Sequence, residues 1–385
     1  SSDLRSPQEL LDLVRAHRAL AAERLAGVAK VECVTPPPGV GVDHTVVRVV
    51  TDDMPFLVDS VRAELLRMNR PIHSVLHPVL QVERDAAGAL INVLGSKGET
   101  ASGSAKSVGV LTESWIHVET DRESDAPDRD EIVARIKLVL SDVRESVEDW
   151  PKMRERARQV AADLREHPPV GIPSADVSQA AEVLDWLADN HFTFLGSRDY
   201  SLTEVPGGTG LVPVPGSGLG LMRSDPPMGA ERPAFNDLVL ARAQEPRVLF
   251  VTKANSRSTV HRSVHLDYVG VKTFDDQGAV TGERRFLGLF TASAYAESVT
   301  RVPFLRERVQ AILDRAGFTP ESHSGKDLLG VLEDYPRDEL FQADVDQLVD
   351  VTASVLSLAD KRRARVYLRP DDFGRFVAAI VYIPR

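Results

Sequence analysis

Apolar and polar positions alternate most regularly between residues 266 and 291. Leu266, Tyr268, Gly270 and Thr273 interleave with Asp267, Val269 and Val271, turn residues follow at Asp275, Asp276, Gln277 and Gly278, and a second β-rich run occupies 285–291. This pattern predicts a β-hairpin. Both arms are rich in Val, Tyr and Phe, which suit a pleated, half-buried surface. After Tyr295 the period becomes helical, predicting a helix over 303–316 that Gly317 stops.

The same reading applied from the start of the chain begins with Ser6, Pro7 and Glu9, a capping box with proline at the first helical position. A helix is expected over 7–25, with Leu10, Leu11, Val14, His17, Leu20 and Leu25 as its apolar stripe. Pro36, Pro37, Pro38 and Gly39 break regularity. A Val-rich strand follows at 45–51, and Asp52, Asp53, Met54 and Pro55 read as a helix start, with Asp53 as a capping residue. Leu57, Val58, Val61, Leu65 and Met68 continue at helical period. Strands are expected at 72–83 and 114–120, separated by a Gly/Ser-rich loop over 95–108. A helix over 128–150 then places Ile132, Ile136, Leu140, Val143 and Val147 on one face. Strand, helix, strand, strand, helix is the split βαβ order, with helices on one side of an antiparallel sheet.

Pro151 is expected to kink or end that helix, with charged helix resuming to His167 and a domain boundary at 168–173. Val183, Leu184 and Leu187 predict a short helix ending at Asn190, and Phe192, Phe194, Leu195 and Tyr200 open a strand. A Gly/Pro-rich loop at 206–233 precedes strands at 247–253, 260–274 and 284–291. Antiparallel strands closed by one helix suggest a small α+β sensor-type domain. Residues 326–360 read as helical with a break at Tyr335 and Pro336, and a last hairpin pairs 363–369 with 375–382. Its inward positions are expected to be Ala364, Val366 and Leu368 opposite Phe376, Ala378 and Ile380, or the alternates. The chain begins without Met and stops in a strand pattern, which reads as a segment of something longer.

At 385 residues and 43% hydrophobic content the chain has material for two to three cores. A net charge of −11 argues against a nucleic-acid groove or an anionic membrane as partner. The single cysteine, Cys33, excludes an internal disulfide framework and makes a reducing cytoplasm the default. Cys33 itself reads as a small buried hydrophobe. No stretch is apolar enough for a membrane span, and residues 1–20 lack the charged-then-apolar pattern of a secretory leader.

Candidate chemistry is sparse. Gly216, Gly218 and Gly220 lack the strand-before, helix-after setting of a dinucleotide fingerprint and sit between prolines, so they read as a flexible loop. His261, Ser263, His265 and Asp267 would alternate on one strand face, but two His four residues apart on a strand are separated by about 13 Å, too far for one ion. His73 and His77 fail likewise. No nucleophile–base set is assembled, so catalytic, cofactor and metal residues are expected to be absent from this chain.

Five stretches carry a resemblance. TDDMPFLVDSV (51–61), HFTFLGSRDY (191–200), GERRFLGLFTASAY (282–295), LEDYPRDELFQ (332–342) and RPDDFGRFVAAIVYIPR (369–385) closely resemble, in this order, the N-terminal part of the very large class of bacterial NAD-specific glutamate dehydrogenases. The resemblance implies an α+β chain with an ACT-like (split βαβ) domain and a PAS-like antiparallel-sheet domain joined by helical linkers. The expected divisions are an N-terminal helix and Pro-rich linker at 1–40, the ACT-like domain at 41–150, a helical linker at 151–175 and the PAS-like domain at 176–325. A helical segment at 326–360 and the first hairpin of a second ACT-like domain at 361–385 complete them. The implied parent oxidises L-glutamate with NAD, while this segment regulates and assembles it, with the downstream catalytic domains and further copies of itself as partners. An amino-acid effector is expected at the strand-to-helix turn, at Asp52, Asp53, Met54 and Asp59, where helix-start N–H groups meet a carboxylate and a side-chain acid meets an ammonium. The competing class is a stand-alone small-molecule sensor or scaffold.

Overall fold

A computed structural model describes residues 6–37, 43–96, 109–227, 233–358, 363–371 and 374–383, so most of the expected loop at 95–108 lies outside the described residues. The chain divides into two compact units, residues 1–147 with 258–264 and residues 148–257 with 265–385. Both are mixed α/β structures built on antiparallel sheets.

The first unit opens with α1 (Pro7–Leu20), whose capping box forms as expected: Ser6 Oγ accepts from the Glu9 amide and Glu9 accepts from the Ser6 amide. The helix ends at Leu20 rather than 25. Of the expected apolar stripe, His17 is buried and Leu20 half-buried, while Leu10, Leu11, Val14 and Leu25 are exposed. Then come β1 (Lys30–Val34), β2 (Thr45–Asp52), α2 (Leu57–Arg67), β3 (Ile72–Leu76), β4 (Val79–Arg84), β5 (Leu90–Ser96) and β6 (Val110–Thr120), followed by α3 (Ala126–Glu166). The sheet runs β1-β2-β6-β4-β5, with β3 also paired to β6. The expected strand at 72–83 is thus two strands on one neighbour, interrupted at His77 and Pro78, where proline has no N–H for the ladder. In this split βαβ sheet β1 fills the edge beside β2. That edge strand comes from before the βαβ core.

Register assigns the faces. Val50↔Trp115 and Arg48↔His117 share one face, where His17 of α1 stacks on Trp115 with centroids 6.2 Å apart. Val49↔Ile116 and Val47↔Val118 share the other, all fully buried. Leu57, Val61 and Leu65 of α2 and Ile132, Ile136 and Val143 of α3 are buried to the same degree and supply the apolar partners that face needs. Cys33 lies on edge strand β1 and is half-buried rather than buried; burial still pushes its thiol up to about 11, so it stays protonated.

Helix α3 runs through Pro151 without ending. Residues up to Val147 belong to the first unit and those from Glu148 to the second. Proline in a helix interior costs about 3 kcal/mol; the burial of Met153, Ala157, Val160, Ala161 and Leu164 in one core offsets that loss.

The second unit continues with α4 (Ser174–Trp186), a π-type turn at Leu187–His191, β7 (Phe192–Val205), β8 (Gly208–Pro213), β9 (Leu219–Gly220) and α5 (Asp237–Gln244). The remaining elements are β10 (Leu249–Arg257), β11 (His265–Phe274), β12 (Val280–Phe290), α6 (Ala292–Ala296), α7 (Leu305–Ala316), α8 (His323–Asp334), α9 (Arg337–Gln342), α10 (Val345–Leu356), β13 (Arg365–Pro370) and β14 (Val377–Tyr382). The larger sheet runs β10-β11-β12-β7-β8, with β9 on β7. The hairpin β11–β12 is the one the alternation predicts. Asp275 Oδ1 accepts from the amides of Gln277 and Ala279, and Gly278 takes φ +82. Gly317, with φ +72, stops α7 as expected.

Parity gives this sheet two buried faces. Val251, Val269, Val271, Phe286, Phe290, Phe192 and Phe194 join a core with α4, α7, α8, α9 and α10. Phe250, Tyr268, Gly270, Lys272, Glu283 and Arg285 face the other way. Two expectations are corrected here. The loop at 206–233 contains β8 and β9, and Val260 to Val264 precede β11, so His261 and Ser263 are not on its strand; His261 has φ +69. In the final hairpin Ala378 and Ile380 are half-buried as expected, but on the first strand the alternate position turns inward: Tyr367 is half-buried while Val366 and Leu368 are exposed.

Candidate functional site

The strand-to-helix turn of the first unit does not cap its helix with Asp52 or Asp53. Helix α2 starts at Leu57 with Phe56 as N-cap at φ +72 and no side-chain cap. The reason lies in what the acids already hold. Asp52 ends β2; its Oδ1 accepts from Arg24 Nη2 at 2.7 Å, and its Oδ2 accepts from Arg144 Nη2 at 2.7 Å and the Gly27 amide at 2.8 Å. The Asp53 amide donates to the Thr112 carbonyl, and Ser114 Oγ donates to Asp53 Oδ1 at 2.8 Å. Met54 is half-buried. Exposed Asp59 sits 3.3 Å from His261 Nδ1, whose ring lies against Phe56. The three carboxylates are therefore engaged by three different sets of partners.

Behind Asp52 lies a buried charge cluster that sequence reasoning missed. Glu113, on β6, has no exposure; it accepts from Arg24 Nε and Nη2, from Arg84 Nε and Nη2, and from Trp115 Nε1, all between 2.6 and 3.0 Å. Burial pushes the Glu113 carboxyl up, but the hydrogen bonds from Arg84, Trp115 and Arg24 outweigh it and hold the group below its ordinary value. Asp52 is held down the same way by Arg24 and Arg144 against its burial. Nearby, His17 Nε2 lies 3.3 Å from His117 Nδ1, and burial, His117 and Arg48 push His17 down to about 3, so it is neutral.

In the second unit the polar-facing side of the hairpin lines a cavity of ≈ 210 Å³. Its apolar wall includes Leu202, Leu211, Phe235, Val239 and Val280, and its charged wall Lys272, Glu283, Arg285 and Arg375. Register places these groups: Lys272 pairs with Glu283 and Gly270 with Arg285 across β11 and β12. Gly270 is needed because a Cβ there would lie 2.2 Å from the Phe250 ring, which stacks on Tyr268. Arg285 lies over Tyr200 at 3.9 Å and Tyr268 at 4.6 Å. Its Nε and Nη2 donate to Glu283 Oε1, and Tyr268 OH donates to the same oxygen. Lys272 Nζ donates to the carbonyls of Arg242 and Glu245 at 2.6 Å, at the C-terminal end of α5. Burial pushes Lys272 down to about 8. The legible signal was that Lys272, Glu283 and Arg285 fall on one face of a hairpin otherwise rich in apolar residues.

The other singled-out residues are structural. Gly220 belongs to β9, has φ +58, and donates its amide to Asp149 at 3.0 Å, so the glycine run is paired rather than a flexible loop. His73 meets Asp121 at 2.7 Å and His77 meets Ser114 at 3.0 Å. Among the described residues Glu123, Asp125 and Asp128 place one carboxylate oxygen each within 4.8 Å of one another. Glu123 already pairs with Arg70 at 2.6 Å and accepts from the Asp125 amide.

A split βαβ antiparallel sheet with buried faces and a strand-to-helix turn at its edge defines the first unit as an ACT-type domain, and the family model for the glutamate dehydrogenase ACT1 domain matches residues 2–136. The model for glutamate dehydrogenase helical motif 1 matches residues 302–361, which contain α7 to α10. The chain is 41% identical over 345 residues to the NAD-specific glutamate dehydrogenase of Halomonas elongata, and 38% identical over 345 residues to that of Pseudomonas aeruginosa. It is 28% identical over 376 residues to that of Mycobacterium tuberculosis. These alignments take in 89%, 89% and 97% of this chain. They cover 21% of each relative, so the chain spans about a fifth of the length of the curated relatives it matches. Together they support the chain as an N-terminal segment of the NAD-specific glutamate dehydrogenase class. Among the described residues no helix is long and apolar enough to cross a membrane.

Proposed function

We propose that this chain is the regulatory and assembly segment of an NAD-dependent glutamate dehydrogenase whose full-length form converts L-glutamate, NAD and water to 2-oxoglutarate, ammonia and NADH. The observation that carries the reading is the ACT1 match on a unit of the corresponding split βαβ architecture, within a chain similar over 89% of its length to proteins of that name. The chemistry is assigned to the rest of the parent chain, which also supplies its partners along with further copies of the segment.

In this reading residues 176–325 of the second unit form a PAS-like sensor domain, supported by a six-strand antiparallel sheet with a helix-covered core on one face and a cavity on the other. An amino-acid effector of the first unit sits at the turn bearing Asp52, Asp53, Met54 and Asp59, where Asp52 also fixes the end of β2 through Arg24 and Arg144. Glutamate-dependent NADH formation by the full gene product, with and without this segment and across an amino-acid panel, tests the reading. Effector response lost with the segment supports it; turnover by the isolated segment above a contaminant control, or an unchanged response without it, refutes it. Calorimetry with the same panel on Asp52→Ala locates the effector: the strongest binder is expected to weaken, and unchanged affinity moves it away from the turn.

A further inference from the structure

We propose that the cavity of the second unit is a binding site for a small monocarboxylate with an apolar body. The charge balance of its wall points to an anion. Lys272, Arg285 and Arg375 stand against Glu283. The Glu283 charge is spent on Arg285 and Tyr268, whose hydrogen bonds all fall on Oε1. Arg375 is neutralised by Asp371, to which its Nε donates at 3.0 Å. Lys272 remains, a cation whose hydrogen-bond partners among the described residues are two neutral carbonyls. Holding the C-terminal end of α5 uses two of its N–H groups, and an ammonium has three. Glu245 and Glu283 attract this buried amine, and a carboxylate accepting its third N–H adds the direct ion pair that neither of them makes, whereas a dianion would bring a second charge with nothing to match it.

Size and polarity define the rest of the ligand. Leu202, Leu211, Phe235, Val239 and Val280 offer hydrocarbon and no donor or acceptor side chain, which selects an apolar tail. A volume of ≈ 210 Å³ equals about seven waters at ~30 Å³ each. That admits a carboxylate with a branched-chain or single-ring tail and excludes a nucleotide or a peptide. The site is independent of whether the parent is a dehydrogenase.

Calorimetry of this chain with 4-methylpentanoate, 3-phenylpropanoate, L-leucine and 4-methylpentanamide tests the proposal. Saturable binding of at least one of the two carboxylates is expected, with the amide weaker than 4-methylpentanoate by about tenfold or more. Lys272→Met should remove that preference for carboxylate over amide. Ala243→Trp, which fills the cavity from α5, should abolish binding while the circular dichroism melt stays that of the parent chain. Equal binding of acid and amide, binding of L-leucine alone, no saturable binding by either carboxylate, or carboxylate binding unaltered in both variants would overturn it.

Discussion

Replacing Glu113 with Gln tests whether the buried cluster holds the ACT-type sheet together. The substitution keeps the shape and removes the charge. In the wild type five donors converge on one carboxylate: two N–H from Arg24, two from Arg84 and one from Trp115. A glutamine has one carbonyl oxygen, so its NH2 group must face donors that cannot accept, and Arg84 loses the anion that its Nε and Nη2 address. Asp52 still balances Arg24 at 2.7 Å, leaving Arg84, itself 5% exposed, as the uncompensated charge. Breaking a buried pair by removing one partner costs about 3–5 kcal/mol. At roughly 2–4 °C per kcal/mol for a domain of this size, the first unit should melt about 10 °C lower. Because the second unit reports on itself, the assay is amide hydrogen exchange resolved to β2 and β6, where local opening free energy is read directly. A fall of that size in β6 with the protection of β12 unchanged is the expected outcome. A loss below about 1 kcal/mol would mean that Glu113 is not the hub its hydrogen bonds indicate.

Three further outcomes follow from the same structure. Glu113 and Asp52 are held below their ordinary values in the folded state; the stability they add is present above about pH 4 and is lost as pH falls through their depressed values, so β6 protection in Glu113→Gln should show a shallower acid slope than the wild type. Gly270→Ala puts a Cβ 2.2 Å from the Phe250 ring and should destabilise the second unit by about 1–3 kcal/mol in urea titrations; an unchanged midpoint would mean that Phe250 moves aside freely. The hairpin β13–β14 presents Val366, Leu368, Val377 and Val381 to solvent, an apolar face that favours homo-association. Light scattering should therefore give a larger mass for this chain than for one shortened to Asp360, and equal monomer masses would refute it.

Local chemistry wrote much of this fold into the sequence. The capping box at Ser6 and Glu9, the turn at Asp275–Gly278, the stop at Gly317 and the alternation through β11 each depend on residues a few positions apart, and each forms where the pattern puts it. Five short motifs were enough to indicate the family. Other features depended on partners far along the chain. Strands β1, β5, β8 and β9 are short edge or flanking pieces of mixed composition, and they are strands because a neighbour offers them a ladder. Helix α3 passes Pro151 because the turns beyond it bury Met153, Ala157 and Leu164. Asp52 and Asp53 read as a helix start because they precede a helix, yet Arg24 and Arg144, 28 and 92 positions from Asp52, take its carboxylate first. The same holds for the cavity. The sequence placed Lys272, Glu283 and Arg285 inside a hairpin, but only the pairing of β10, β11, β12 and β7 and the arrival of α5 and Arg375 turned them into the wall of a pocket. Charges that would be solvated on an open strand become a site when tertiary packing removes the water around them.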